Sequence, residues 1–256
     1  MKTTVDKIKS MKGKEKISML TGYDYSTAKY MDGAGVDIIL IGDSLGMVVL
    51  GYDNTLSVTM EDIIRHTGAV SRGTKNALIV SDMPAGSYDN KESAALNAEA
   101  LIKSGADTVK LENKPEIAKF LVENKINVMG HIGLTPQTAT NFKVQGKDQE
   151  AADKLIKRAK ELEDAGCYIL ILECIPVELA KKITENISIP TMGIGAGVEC
   201  DGQVLVTNDM IGLYDKLNPK FVRKYASLGE EMKKAFESYV KDVKDGKFPT
   251  DKESFH

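Results

Sequence analysis

The sequence predicts an α/β protein, a single-domain (β/α)8 TIM barrel, and three observations support this fold class. The chain has 256 residues, close to the roughly 250 that one such barrel takes. Short β-branched apolar runs alternate with segments of helical spacing. A weak internal repeat also places a glycine at the end of a helical segment, directly before the next apolar run.

The apolar runs are the predicted strands, and seven of them are clear. They are rich in Ile, Val and Leu, as expected for strands buried on both faces of a parallel sheet. In chain order they cover residues 17–20, 36–42, 77–82, 107–112, 126–131, 168–173 and 189–195, with a weaker eighth run at 202–209. Seven or eight runs in this length favour a closed barrel over an open doubly wound sheet, the alternative that the pattern allows.

The segments between the runs carry helical periodicity. Residues 92–106 and 148–166 each place their apolar side chains along one side of a helix. The stretches GAGVDIIL, SGADTVKL and DAGCYILI then join a glycine-bearing helix end to a strand, because glycine enters the left-handed conformation without a Cβ clash. We therefore predict one barrel domain over residues 1–256, with a C-terminal helical segment from about residue 221.

Composition and charge exclude several classes of partner. The net charge is −3 and the basic residues are spread along the chain, whereas nucleic-acid binding needs a concentrated basic face. No apolar stretch approaches the roughly 20 residues of a membrane span, and the polar N-terminus lacks the apolar segment of a signal peptide. Three cysteines without zinc-ligand spacing are typical of a reducing compartment. We expect a cytoplasmic protein that binds neither nucleic acid nor membrane.

Ionisable side chains stand at the ends of five of the seven clear runs. In a (β/α)8 barrel the active site lies at the C-terminal ends of the strands. The candidate site residues at these ends are Asp43, Ser44, Asp82, Lys110, Glu112, His131 and Glu173. Ordinary loop polarity does not place Lys, Glu and His inside apolar runs, so we expect a catalytic or binding site there.

Asp43, Asp82 and Glu112 form a candidate metal site. Each ends a different run, so the three side chains converge if the barrel closes. Three carboxylates brought together repel one another unless a cation neutralises them, and oxygen ligands suit Mg²⁺. Helix capping and loop solvation are the alternative explanation for each of them alone.

The other candidates have distinct chemical uses. Lys110 and Glu112 share one face of their strand, where Lys110 holds an anionic substrate, forms a Schiff base, or makes a structural salt bridge. Glu173 ends an apolar run, and a buried glutamate of raised pKa suits a general base. His131 is expected to form a hydrogen bond at the site, although a lone histidine is often structural.

Several stretches resemble the ketopantoate hydroxymethyltransferase family, between about Thr21 and Ala226. They are TGYDYSTAKYMDGAGVDIILIGDSLGMVVLGYDNTL, VKLEN, GHIGLTPQ, KVQGK, LECIPVELAKKIT, IPTMGIGAG and NPKFVRKYA. GDSLGM and GHIGLTPQ together are highly specific to the family. The chain departs from the family in the segment 137–147, which is shorter than in many members, and at Ser57 and Ala85.

The resemblance implies a (β/α)8 barrel of the phosphoenolpyruvate/pyruvate-type superfamily that uses Mg²⁺. Its reaction transfers a hydroxymethyl group from 5,10-methylenetetrahydrofolate to 3-methyl-2-oxobutanoate, giving 2-dehydropantoate, in the first committed step of pantothenate biosynthesis. A 2-oxo acid chelates Mg²⁺, which then stabilises a developing enolate as a Lewis acid. The family also assembles as a homodecamer.

Carried over by position, the resemblance assigns roles to the same residues. Asp43, Asp82 and Glu112 match the metal ligands, and Glu173 matches the proton acceptor. Asp43, Ser44, Asp82 and Lys110 match the contacts to the oxo acid, and we group His131 with these substrate-binding residues. Three alternatives remain open: a Mg²⁺-dependent carbon–carbon lyase of the same superfamily, a Lys110 Schiff-base aldolase, and a binding barrel without catalysis.

Overall fold

The structure is a computed structural model that describes residues 2–139 and 143–256. Its contacts group into two compact units, Met1–Val206 and Thr207–His256. The first unit contains a closed barrel of eight parallel strands, each paired with its neighbours in chain order. The strands are β1 Ile17–Thr21, β2 Ile38–Ile41, β3 Leu78–Asp82, β4 Thr108–Glu112, β5 Val128–Gly133, β6 Ile169–Glu173, β7 Thr191–Ile194 and β8 Gly202–Leu205. The (β/α)8 fold predicted from the sequence is therefore confirmed.

Helices alternate with the strands in this unit. They are α1 Val5–Ser10, α2 Tyr25–Ala34, α3 Leu45–Val48, α4 Met60–Gly73, α5 Lys91–Ser104, α6 Pro115–Glu123, α7 Gln149–Asp164 and α8 Val177–Asn186. Five of the eight begin at a polar cap: the side chains of Thr4, Asp24, Thr59, Asn90 and Asp148 accept a hydrogen bond from a backbone N–H of the first turn. Such caps satisfy donors that the helix itself leaves without partners.

The buried side chains form two apolar layers. One fills the barrel interior and includes Met19, Leu40, Val80, Met129 and Ile171. The other lies between the strands and the surrounding helices and holds most of the remaining core. Strands covered on both faces explain why the sequence shows continuous apolar runs rather than alternation.

The predicted glycine-terminated helix ends are present. Gly35, Gly105 and Gly166 all have positive φ, at +83°, +115° and +92°. A side chain at Gly105 would also collide with the adjacent helix, because its Cβ would lie 2.2 Å from the Ser71 Oγ. The repeat seen in the sequence therefore marks the close passage from helix to strand.

The second unit holds the helices α9 Thr207–Met210 and α10 Leu228–Lys244 and a short 3-10 helix, Asp251–Glu253. Two sequence predictions differ here. The eighth run extends only to Leu205, because residues 207–210 turn into α9. The C-terminal helix begins at Leu228 rather than near 221. A start at Leu228 places Glu230 and Glu231 in the first turn, and these suit the positive end of a helix better than Arg223 and Lys224 do.

Three residues of the segment 137–147, numbers 140–142, lie outside the described residues.

The described helices include none with the length and apolar character needed to cross a membrane. The site candidates Asp43, Asp82, Lys110, Glu112, His131 and Glu173 all lie in the first unit, on β3 to β6 or just after β2.

Candidate active site

The barrel brings the predicted site residues together on neighbouring strands. The register of the parallel ladder places Asp82 of β3 beside Lys110 of β4. It also places Glu112 of β4 beside His131 of β5, and Glu173 ends the next strand, β6. Because all these strands run the same way, their C-terminal ends form one rim, where barrel enzymes carry their chemistry.

Asp82 connects Lys110 and Asp43 in this rim. Its Oδ1 accepts a hydrogen bond from the Lys110 Nζ at 2.7 Å, and both side chains are almost completely buried. Its Oδ2 accepts the backbone N–H of Asp43 at 2.9 Å. This second bond fixes the turn that follows β2 and holds Asp43 next to the ion pair.

Lys110 is held in its protonated form. Burial alone lowers the pKa of an amine, but the negative charges of Asp82, Asp43 and Glu112 outweigh burial and raise the Lys110 pKa above its usual value. Schiff-base catalysis needs a neutral amine at neutral pH. The surroundings of Lys110 therefore favour a fixed cation that holds an anion, rather than a nucleophile.

Asp43 is a carboxylate without a full complement of positive charge. Burial, followed by the negative charge of Asp82, raises its pKa to about 7, although Lys110 acts in the opposite direction. Its Oδ2 accepts one hydrogen bond, from the Gln137 Nε2 at 2.9 Å. A buried carboxylate whose negative charge is only partly balanced favours the binding of a cation.

Glu112, His131 and Glu173 form a second group along the rim. The His131 Nδ1 lies 3.3 Å from the Glu112 Oε1, and its Nε2 lies 3.2 Å from the Glu173 Oε2. Burial lowers the pKa of His131, but the contacts with the two glutamates outweigh it and raise that pKa to about 9. His131 is therefore protonated and lies between the two carboxylates. A direct contact of His131 with substrate stays a prediction.

This proton makes the stability of the metal-free protein depend on pH. The unfolded histidine titrates near 6.5 and the folded one near 9, so its stabilising effect is complete below about 6.5 and lost as the pH rises through 9. We expect the wild-type free energy of unfolding to fall by about 2–3 kcal/mol between pH 7 and 9.5. Chemical denaturation in EDTA measures this slope.

The variant His131→Gln tests the source of the slope. It removes the titrating group, so its unfolding free energy is expected to vary little over the same pH range. His66→Gln is the control and is expected to keep the wild-type slope. An equal slope in wild type and His131→Gln would show that another group is responsible.

Two non-glycine residues with positive φ follow the two glutamates. Asn113, directly after Glu112, has φ +54°, and Cys174, directly after Glu173, has φ +48°. Non-glycine residues rarely adopt this conformation and often do so near functional sites. At both strand ends the chain turns sharply just past the carboxylate. Burial raises the pKa of the Cys174 thiol to about 11, which makes it a poor nucleophile.

Ser44 occupies the turn after β2, where its Oγ lies 2.8 Å from the Tyr23 Oη. A Cβ at Gly42, two residues earlier, would lie 2.9 Å from that Oγ and 3.7 Å from the Asp82 Oδ2, so a side chain there would displace the hydroxyl. Asp24, another polar residue at a strand end, is instead the N-cap of α2. The short string of Gly42, Asp43 and Ser44 thus gives two functional groups to the rim with little bulk.

Sequence reasoning did not assign a role to Gln137 or Tyr88, and both lie in the site. Gln137 follows β5 and contacts two of the rim carboxylates, through its side chain and its backbone N–H. The Tyr88 Oη donates to the Gln137 Oε1 at 2.5 Å. The only available signal was the inclusion of Gln137 in the string GHIGLTPQ.

The described residues do not include three His, Cys, Asp or Glu side chains already arranged as ligands of one metal ion. Lys110 and Gln137 instead donate to Asp82 and Asp43. The Glu112 Oε2 accepts the backbone N–H of Gln137 at 3.1 Å. The acidic donor set still fits a hard cation, because Asp43 and Asp82 are adjacent, buried carboxylates.

A closed parallel barrel with a buried acidic and basic rim at its C-terminal end defines a (β/α)8-barrel enzyme. Solved structures share this fold. One is 2,3-dimethylmalate lyase of the PEP mutase/isocitrate lyase superfamily, with 15% identity, a TM-score of 0.64 and coverage of 100% of this chain and 92% of that one. Another is phosphoenolpyruvate phosphomutase from Streptomyces platensis, with 10% identity, a TM-score of 0.65 and coverage of 98% and 92%. At these identities the likeness shows the fold alone.

The chain belongs to the ketopantoate hydroxymethyltransferase family, whose sequence model matches residues 2–251. Proteins named 3-methyl-2-oxobutanoate hydroxymethyltransferase from Clostridium novyi and Enterococcus faecalis are 53% and 54% identical to it over 264 residues. Both comparisons cover 100% of this chain and 96% of the relative. The chain is therefore an enzyme that transfers a one-carbon group, and the resemblance found in its motifs is confirmed.

Proposed function

We propose that the enzyme transfers a hydroxymethyl group from 5,10-methylenetetrahydrofolate to 3-methyl-2-oxobutanoate, giving 2-dehydropantoate, the first committed step of pantothenate biosynthesis. The relatives at 53% and 54% identity carry the name of this acceptor. The observation that carries the proposal is the buried group of Asp43, Asp82 and Lys110, which shares its rim with Glu173. It combines a site for a small anion with a base on β6, two strands beyond Lys110 in the barrel.

Lys110 holds the carboxylate of the oxo acid. Its ammonium is buried and stays protonated, so an entering anion meets a cation that water screens poorly. The Ser44 hydroxyl, next to Asp43, adds a hydrogen bond to the same substrate. Together these groups orient the oxo acid with its C3 toward the base.

The metal in this proposal is Mg²⁺. Asp43 and Asp82 hold it, and the resemblance to the family adds Glu112 as the third ligand. When bound, Mg²⁺ supplies Lewis-acid stabilisation of the negative charge that develops on the oxo acid. The raised pKa of Asp43, caused by burial and by Asp82, supports a cation at this position.

Glu173 removes the proton from C3. Its side chain keeps 17% of its surface exposed, so it can reach a substrate at the rim. The resulting enolate attacks the methylene carbon of the folate-derived iminium, forming the new carbon–carbon bond. Water then replaces the folate nitrogen on that carbon, which releases tetrahydrofolate and leaves the hydroxymethyl group. Protonated His131 lies beside Glu173 and orients its carboxylate.

A turnover assay tests the function. With the oxo acid, methylenetetrahydrofolate and Mg²⁺, we expect 2-dehydropantoate, and we expect its formation to stop when the folate is omitted or EDTA is added. A Mg²⁺-dependent lyase would instead cleave 2-hydroxy or 2-oxo diacids without folate. Substrate-dependent inactivation by borohydride, with activity retained in EDTA, would identify a Lys110 Schiff base. A binding barrel would give no turnover with any of these substrates.

The enzyme is also proposed to be a homo-oligomer, a decamer as in the family. Helix α10 has 17 residues and buries none of them. Its apolar residues recur every three or four positions, at Leu228, Met232, Phe236, Tyr239, Val240 and Val243. Most helices in proteins are stabilised by packing of an apolar face, and such an exposed apolar stripe is typical of a protein interface. A second copy of the chain is the proposed partner.

The variant Phe236→Glu tests this surface. Phe236 is 60% exposed in the single chain, so the change costs the isolated chain little but places a charge in a buried interface. Sedimentation velocity is expected to show an oligomer for wild type and a smaller species for Phe236→Glu. The control Leu96→Glu replaces an isolated exposed side chain on α5 and is expected to leave the assembly intact. An unchanged Phe236→Glu assembly would remove α10 from the interface.

A cytoplasmic location is proposed from the thiols. Cys167, Cys174 and Cys200 are all free, as expected where the environment keeps cysteines reduced. The folate and oxo-acid substrates are small, and no nucleic acid or membrane partner is proposed.

A further inference from the structure

We propose that Gln137 is a positioning residue that fixes the metal-binding carboxylates, with Tyr88 setting the orientation of its amide. This inference rests on the proposed function, because it takes Asp43 and Glu112 as residues of the Mg²⁺ site. Gln137 comes from the loop after β5, and only 8% of its surface is exposed. It joins that loop to two strand ends on which the proposed metal site is built.

Gln137 forms four hydrogen bonds within the site. Its Nε2 donates to the Asp43 Oδ2 at 2.9 Å and to the Met83 carbonyl oxygen at 3.0 Å. Its Oε1 accepts from the Tyr88 Oη. Its backbone N–H donates to the Glu112 Oε2 at 3.1 Å. Every polar group of the side chain is therefore in use inside a buried network.

The donor and the acceptor of each bond follow from the two backbone groups at the ends of the network, the Glu112 N–H and the Met83 carbonyl. The Glu112 backbone N–H can only donate, and it lies 3.3 Å from the Tyr88 Oη, which accepts it. The tyrosine proton then points to the Gln137 Oε1. At the other end the Met83 carbonyl can only accept, so the amide NH₂ faces both Met83 and Asp43. Tyr88 thereby directs a donor, rather than an acceptor, at the Asp43 carboxylate.

This arrangement leaves the Asp43 Oδ1 for another partner, whereas the second Glu112 oxygen, Oε1, faces the His131 Nδ1 at 3.3 Å. Asp43 uses its Oδ2 for Gln137, and Glu112 uses its Oε2 for the Gln137 backbone. Carboxylates that bind metals are commonly oriented by such hydrogen bonds, and losing one typically weakens metal binding about 10–100-fold. Gln137 acts on two carboxylates at once, and a network whose members are all satisfied is rigid.

Mg²⁺ titration calorimetry of the EDTA-treated full-length protein tests the inference without measuring turnover. Gln137→Met keeps the length of the side chain and removes its donors, so we expect about 10–100-fold weaker Mg²⁺ binding. Tyr88→Phe removes the bond to the Gln137 Oε1 and leaves the amide held only through its NH₂ group, by Met83 and Asp43, so we expect a smaller but measurable loss. The double variant is expected to bind Mg²⁺ no more weakly than Gln137→Met, because Tyr88 acts through Gln137.

Matched controls separate positioning from general damage. Tyr168→Phe removes another buried hydroxyl, which contacts the Thr108 Oγ1 at 3.0 Å at the opposite end of the barrel. Gln145→Met changes a half-buried glutamine in the loop of Gln137. Both are expected to bind Mg²⁺ within about twofold of wild type, since neither contacts the carboxylates. Thermal unfolding in EDTA checks that each variant is folded.

Asp43→Asn distinguishes the two levels of the proposal. If wild type binds Mg²⁺, Asp43→Asn loses it and Gln137→Met binds as wild type does, the positioning role of Gln137 is overturned while the metal site stands. If Asp43→Asn binds Mg²⁺ as wild type does, the metal site of the proposed function fails, and the inference fails with it. If Gln137→Met does not fold, Tyr88→Phe decides, and wild-type affinity in that variant overturns the inference.

Discussion

Glu173→Gln is expected to lower kcat for hydroxymethyl transfer by roughly 10²–10⁴-fold, the usual contribution of a general base. The glutamine keeps the shape of the side chain but cannot take the C3 proton of the oxo acid. Binding of the oxo acid is expected to stay within about threefold of wild type, because Lys110 and Asp82, which are not changed, hold the substrate in this account. Steady-state kinetics and calorimetric titration with the oxo acid measure the two quantities.

Glu150→Gln is the matched control for this change. Glu150 is exposed on α7 and pairs with Lys154 at 2.6 Å across one helical turn, an interaction that contributes little to stability. Its kcat and oxo-acid binding are expected to match wild type. A Glu173→Gln enzyme with wild-type kcat would assign the proton transfer to another group.

Asp43→Asn is expected to abolish Mg²⁺ binding while stabilising the metal-free protein at pH 8. As a proposed metal ligand, Asp43 should contribute at least the roughly 100-fold in affinity that its supporting residues contribute. Its carboxyl titrates near 3.8 when unfolded and near 7 when folded. The folded state therefore loses stability as the pH rises from about 4 to 7, and the loss is complete above 7.

The Asp43→Asn variant lacks this carboxyl group, so it does not lose stability in this way as the pH rises. At pH 8 we expect the free energy of unfolding of metal-free Asp43→Asn to exceed that of wild type by about 1–3 kcal/mol. We expect this difference to shrink toward pH 5. Saturating Mg²⁺ is expected to stabilise wild type and not the variant. Thermal and denaturant unfolding, with EDTA or MgCl₂, give all four comparisons.

Asp201→Asn supplies a contrast at the other end of the barrel. Asp201 pairs with Lys12 at 3.0 Å and accepts backbone N–H bonds from Gly13 and Thr191. Burial raises its pKa, but these bonds outweigh burial and lower it, so its ionised form stabilises the fold. Asp201→Asn is expected to be less stable than wild type and to bind Mg²⁺ normally. A destabilised Asp43→Asn would show that Asp43 serves structure rather than the metal.

The fold and the rim residues were predictable because both follow from local patterns. Buried parallel strands produce continuous apolar runs, and the barrel then places the ends of those runs together. Lys110 and Glu112 stood out because charged residues inside such a run are costly without a partner. The structure gives each a partner, Asp82 for Lys110 and His131 for Glu112.

The supporting residues were not predictable in the same way. Gln137 and Tyr88 lie in loops, where polar residues are common and no periodicity marks one as buried. Their contacts depend on how the loops after β3 and β5 fold over the rim, which is a tertiary property. The start of α10 was also misplaced, because residues 221–227 share the charged composition of the helix that follows.

Deuterium incorporation at C3 of 3-methyl-2-oxobutanoate, followed by NMR in D₂O without folate, tests the central claim most directly. It isolates proton removal at the rim from the later bond formation. Wild type with Mg²⁺ is expected to exchange this proton, and Glu173→Gln is expected to exchange it roughly 10²–10⁴-fold more slowly. Equal exchange by the two proteins, with the oxo acid bound to both, would contradict the assignment of Glu173 as the base.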